Sequence, residues 1–273
     1  MDLLHPLLAV LCGALVGFTL GLIGGGGSIM ATPLLLYVVG LQPHVAIGTG
    51  ALAVSVNAFA NFGGHARSGN VRWRCAIIFS AVGIAGAAVG SLLGKHVDGK
   101  QLLFLFAILM IVIGVWMLRR KDKGSQAAEA DSPASTSKVC QFWNPKTRNP
   151  VQVASAALGV GVLSGFFGIG GGFLIVPGLL FSTGMPLICA IGSSLLAVGA
   201  FGLTTAISYG MSGLIDWPVA AEYLAGGLVG GLAGMALATS LAPRKAALNR
   251  AFASLVFIVA GYMLYRNAAV LGL

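Results

Sequence analysis

Residues 3–66 contain no Asp, Glu, Lys or Arg, and neither do residues 151–215. About a quarter of the residues in a soluble domain are charged, so uncharged stretches of this length are foreign to one. A membrane crossing needs about 20 apolar residues, so each block is about three crossings long, or one crossing plus a re-entrant hairpin. The composition agrees, with 57% of the 273 residues hydrophobic and 8% charged. These features predict an all-α polytopic membrane protein.

The chain also repeats itself. A shift of 144 residues aligns 17–73 with 161–217 without a gap, and 18 of these 57 positions are identical. "GLIGGGGSIMATP" (21–33) falls on "GFFGIGGGFLIVP" (165–177). "AIGTG" (46–50) falls on "AIGSS" (190–194), and "SGNVRW" (68–73) on "SGLIDW" (212–217). Gly83, Gly86 and Gly90 fall on Gly227, Gly230 and Gly234. Between the copies, residues 119–150 are charged, polar and rich in Pro and Ser, as flexible linkers are. The expected organisation is a first membrane repeat over 1–118, a polar linker over 119–150 and a second membrane repeat over 151–273.

Both repeats divide in the same way. Hydropathy predicts segments near 3–23, 28–40, 44–64, 72–94 and 101–118, then 151–167, 172–184, 187–208, 217–239 and 248–265. The second segment of each copy has only ~13 residues, or ~20 Å of helix, short of the ~30 Å hydrocarbon core. Each half therefore holds four to five segments, 8–10 in total, with glycine-broken or re-entrant helices near the midplane. Five is odd, so the two homologous halves would insert inverted with respect to one another. Basic residues favour that arrangement. With 119–150 in the cytoplasm, thirteen lie inside and only Lys95, Lys100 and Arg266 outside. The expected location is the bacterial inner (plasma) membrane, multi-pass, with the central loop cytoplasmic.

Four successive glycines, Gly24 to Gly27, stand inside the first apolar block. Glycine costs a helix roughly 1 kcal/mol per residue against Ala. Irregular backbone survives at membrane depth only against protein or a water-filled cavity. A helix start after the run would offer free N–H groups and about half a positive charge. Two such starts, one per repeat, would together hold a small anion. The candidates are Gly24, Gly26, Gly27 and Ser28 in one copy and Gly168, Gly170, Gly171 and Gly172 in the other. Close helix packing is the competing role, and the preferred one for Gly83, Gly86, Gly90 and their mates.

Thr49 and Ser193 share one repeat position, each a hydroxyl after "AIG". With Ser194, and with Asn57 and Asn61 four apart on one helix face, they serve either an anion or helix–helix hydrogen bonds. Glu222 and His65 are the candidates for proton coupling or gating.

Several classes are excluded or disfavoured. There is no G-x-x-x-x-G-K-[ST] nucleotide loop. The four His and seven acidic residues are dispersed, so no enzyme activity, cofactor or metal site is expected. The net charge of +9 is read as orientation-setting loops and not as a nucleic-acid surface. Cys12, Cys75, Cys140 and Cys189 lack metal-ligand spacing and are expected as apolar fillers or free thiols. The expected partners are a small anion and the lipid bilayer; whether two copies form a homodimer stays open.

The paired Gly-x-Gly-Gly-x5-Pro element (Gly24–Pro33 and Gly168–Pro177), the two halves and the polar central loop carry a resemblance. Over nearly its whole length the chain resembles the sulfite exporter TauE/SafE family of bacterial permeases. The resemblance implies a secondary transporter of sulfite, organosulfonates or related sulfur anions, working by alternating access. A passive anion channel, or a transporter of another small carboxylate or oxyanion, is the alternative. Gly25 against Ile169 and Ser28 against Gly172 make the two half-sites unequal.

Overall fold

The computed structural model describes residues 4–69, 71–119, 150–168, 172–183, 187–240, 257 and 259–265. Helix α1 spans Leu4–Ile23 and runs into a 3-10 helix, Gly24–Met30, and then α2, Ala31–Tyr37. The rest of the first half is α3 (Pro43–Arg67), α4 (Trp73–His96) and α5 (Gly99–Arg119). The second half follows as α6 (Pro150–Phe167), α7 (Gly172–Thr183), α8 (Leu187–Gly210) and α9 (Trp217–Ser240). Of the last expected segment, 248–265, only 257 and 259–265 are described, and they are helical. Pro43 opens α3, where its fixed φ suits the first turn and its missing N–H costs nothing.

Among the described residues, five helices, α1, α3, α4, α8 and α9, are long and apolar enough to cross a membrane. Their outward faces suit lipid. Leu7, Leu11 and Leu15 line one exposed stripe of α1, and Ile77, Ile84, Val89 and Leu92 are exposed on α4. Meanwhile Ser28, Thr32, Thr49, Ser55, Asn57, Asn61, Ser193, Ser194 and Thr205 are buried. Trp73 and Trp217, mates under the 144-residue shift, stand exposed at the starts of α4 and α9, as indoles at a lipid–water boundary do.

The halves interlock. Helix α1 packs along α9 of the other half, and α6 along α4. Helices α3 and α8 pack on each other at the centre. Glycine makes these approaches: a Cβ at Gly17 would strike Gly227, and at Gly21 would strike Gly231, so α1 and α9 run parallel. The mates repeat this, Gly161 lying on Gly83 and Gly165 on Ala87. By contrast, α3 and α8 are antiparallel. The start of α3 meets the exit of α8, where the Asp216 N–H donates to Thr49 Oγ1. The start of α8 meets the exit of α3, where the Arg72 N–H donates to Ser193 Oγ. Between them Ser55 donates to the carbonyl of Gly199, its own repeat mate, at 2.7 Å.

The cysteine expectation needs correcting at one position. Cys12 and Cys75 are free, but Cys189 is disulfide-bonded. Chain spacing does not disclose which sulfurs folding brings together.

Candidate functional site

The glycine run of the first half does not open the helix as expected. Gly24–Met30 forms seven residues of 3-10 helix, a long run for that conformation, and passes directly into α2. No free helix start results, and α2, seven residues long with Met30 as an uncapped N-cap, is no substitute for one. Glycine permits a break but does not impose one, and here the segment is held by its neighbours. A Cβ on Gly27 would meet the backbone of Thr19 and Leu20, with Thr19 Oγ1 at 2.6 Å. That glycine lets the 3-10 segment fold back against α1.

The second copy behaves differently. Gly168 has φ +65°, a left-handed conformation that ends α6, and a Cβ there would also strike Ile47 of α3. Gly170 and Gly171 lie outside the described residues. Gly172 is buried and begins α7, a helix of 12 residues. The Gly24–Met30 segment packs across the halves against α7, which begins at Gly172, and against α8, so this is a junction between the first glycine segment and the second half. Ser28 and Thr32 are buried beside this junction, and the Thr32 hydroxyl has no hydrogen-bond partner among the described residues.

The polar candidates go to different places. Thr49 and Ser193 are fully buried, and each accepts a backbone N–H from the opposite half. The Ser194 hydroxyl turns back on its own helix, to the Ile191 carbonyl at 2.8 Å. Asn61 likewise donates to the Asn57 carbonyl at 2.9 Å. The Asn57 side chain lies against Gly227 with neither amide atom partnered among the described residues. An amide left unsatisfied in an apolar interior costs a few kcal/mol, so it is a group in need of a ligand or water. Glu222 on α9 and His65 in the last turn of α3 are each half-buried.

One cluster was not anticipated. At the end of the bundle holding Thr49, a cleft of about 560 Å³ is lined by Pro43, His44, Lys95, His96, Val97, Asp98, Gly99 and Lys100. Lys95 reaches from α4 to the exit of α8, donating to the Ser208 carbonyl at 2.9 Å and to Ser212 Oγ at 3.0 Å. A cation there caps the carbonyl end of α8. Its ammonium also stands 5.8 Å from the centre of the Tyr209 ring. The repeat mate of Tyr209 is His65, so this arrangement belongs to one half. Among the described residues, no group of three His, Cys, Asp or Glu is placed to hold a metal ion.

Comparison with known proteins extends this picture. A family model described as "Sulfite exporter TauE/SafE" matches residues 9–263. A "Probable membrane transporter protein" of Xylella fastidiosa (strain Temecula1) is 51% identical over 258 residues, 94% of each chain. The "Probable membrane transporter protein YunE" of Bacillus subtilis is 27% identical over 238 residues, 84% of this chain and 86% of its own. A relative bearing the same kind of name in Methanocaldococcus jannaschii is 28% identical over 223 residues, 79% of this chain and 73% of its own. No solved structure matches. A match over nearly the whole length, on a bundle of lipid-suited helices, leaves one conclusion: the chain belongs to the sulfite exporter TauE/SafE family and is a multi-pass membrane transporter.

Proposed function

We propose that the protein is a secondary transporter of small sulfur-containing anions, such as sulfite or organosulfonates, in the bacterial inner membrane. The halves 1–118 and 151–273 act as inverted repeats around a cytoplasmic linker, 119–150, and expose the anion alternately to each side. Antiparallel pairing of α3 and α8 supports the inversion. The side bearing Arg67, Arg72 and Arg74 is then cytoplasmic by the positive-inside rule.

The observation that carries the reading is the packing of the first glycine segment, Gly24–Met30, against α7 and α8 of the second half inside the bundle. Gly24, Gly26, Gly27 and Ser28 come from one half, and Gly168, Gly170, Gly171 and Gly172 from the other. Thin backbone lets an anion approach closely, and the free N–H groups of the helix start come from α7 in the second half. Among the described residues, the Thr32 hydroxyl beside the junction and the Asn57 amide on α3 are buried side chains with bonding capacity to spare. The test is uptake of radiolabelled sulfite, thiosulfate and taurine into proteoliposomes, with and without an imposed proton gradient. Saturable, gradient-driven flux of a sulfur anion is the expected result. Flux proportional to concentration and indifferent to the gradient would make the protein a passive channel. No flux of any sulfur anion would overturn the substrate class.

A further inference from the structure

Two hydrogen bonds exchange under the 144-residue shift, and they lie at opposite ends of the bundle. At one end the Asp216 N–H donates to Thr49 Oγ1 at 3.0 Å. At the other the Arg72 N–H donates to Ser193 Oγ at 2.9 Å. Each donor is the residue just before a long helix, Asp216 before α9 and Arg72 before α4. Amides at a helix start have no partner within the helix, so an outside acceptor must be supplied. In both cases that acceptor is a fully buried hydroxyl near the start of the other half's central helix. Each bond thus ties the turn between two long helices of one half to the opposite half.

The duplication separates what is kept from what has drifted. In "AIGTG" and "AIGSS" the fourth residue keeps a hydroxyl while the fifth changes from Gly50 to Ser194. The donors' side chains have also diverged, Arg72 against Asp216, but the donating atom is backbone and survives any substitution except proline. Asp216 additionally caps α9 through Val219 N–H, at 3.2 Å. The two ends share the hydroxyl-to-amide bond and differ in the polar chemistry around it.

We infer that Thr49 and Ser193 are paired latches on the two gates of the transporter. This rests on the alternating-access reading given above. Releasing Thr49 from Asp216 frees one end while Ser193 holds Arg72 at the other, and the reverse gives the opposite opening. A neutral hydrogen bond suits the task. It biases an equilibrium by about fivefold, enough to favour a closed end without fixing it. At the Thr49 end Lys95 adds a second fastening between α4 and the exit of α8.

The latch donors are backbone amides, so hydrogen–deuterium exchange reads this region directly. The full chain in nanodiscs, without substrate, is compared with Thr49→Val and Ser193→Ala. Thr49→Val should speed exchange across 211–217 by about fivefold and slow it across 68–74, because the population moves to the state with the Ser193 end closed. Ser193→Ala should do the reverse. Thr49→Ser and Ser193→Thr keep the hydroxyl and should match wild type, which separates the latch from loss of packing. Faster exchange at the mutated end alone, at both ends together, or at neither would overturn the proposal. Because no substrate is used, reciprocal exchange beside a failed sulfite flux would sink the substrate class and leave the latches standing.

Discussion

Gly86→Ala measures how much the cross-half helix contacts contribute. Gly86 on α4 faces α6, and a Cβ built there lies 2.5 Å from the Leu158 carbonyl oxygen, 2.9 Å from Val162 N and 3.3 Å from Gly161 C. Non-bonded carbon atoms rest at about 3.5–4.0 Å, so one methyl forces the parallel pair apart by roughly 1 Å. Overpacking of this kind costs about 1–3 kcal/mol. The gain in helix propensity from Gly to Ala returns up to about 1 kcal/mol. A net loss of about 1–2 kcal/mol should lower the melting temperature by about 3–6 °C for a chain of this size. The assay is thermal unfolding of detergent-purified protein followed by tryptophan fluorescence. Gly159→Ala is the internal control, since nothing among the described residues lies within 4 Å of a Cβ at Gly159 on α6. It should melt at or slightly above wild type. The repeat mate Gly230→Ala, pressed on Ala14 of α1, should match Gly86→Ala. If Gly86→Ala and Gly159→Ala melt together, the close glycine approaches do not set the spacing of the bundle and the argument fails.

Three other outcomes can be checked. Gly168→Ala combines positive φ with a clash on Ile47 and should cost about 2 kcal/mol or more; adding Ile47→Ala should recover the steric part and leave the backbone part, read as two steps in melting temperature. Asn57→Ala removes an amide without a partner, so lost packing and relieved desolvation, each about 1–3 kcal/mol, nearly offset in stability. Anion uptake by that variant should fall at least about tenfold if the amide contacts the anion, and wild-type uptake would remove Asn57 from the site. Single-tryptophan variants retaining Trp73 or Trp217 should be quenched more by lipids brominated near the headgroup than near the chain end, since both indoles are exposed at helix starts; stronger quenching from the chain end would contradict the assigned span limits.

Membrane class, helix order and the duplication were legible because they are local properties. Hydropathy alone places α3 at 44–64 against the observed Pro43–Arg67, and α6 at 151–167 against Pro150–Phe167. The packing role of Gly83, Gly86 and Gly90 was legible too, because the shortage of side chain recurs on one face of each copy. The glycine run was not. Gly24–Gly27 reads as a break, yet the first copy stays helical and the second turns at Gly168. A residue without a Cβ carries little preference of its own, so its path is set by what packs on it.

What the sequence by itself determined is a lipid-embedded, twice-built helical transporter with its hydroxyls and amides held inside. What only the tertiary structure decided is the use of each polar group. Thr49, Ser194 and Asn57 look alike as candidates, being uncharged polar residues in charge-free helices. Folding hands Thr49 an amide from the other half, turns Ser194 onto its own helix and leaves the Asn57 amide without a partner among the described residues. A hydrogen bond depends on which atom stands about 3 Å away, and across a gap of 167 residues only the packing of helices settles that.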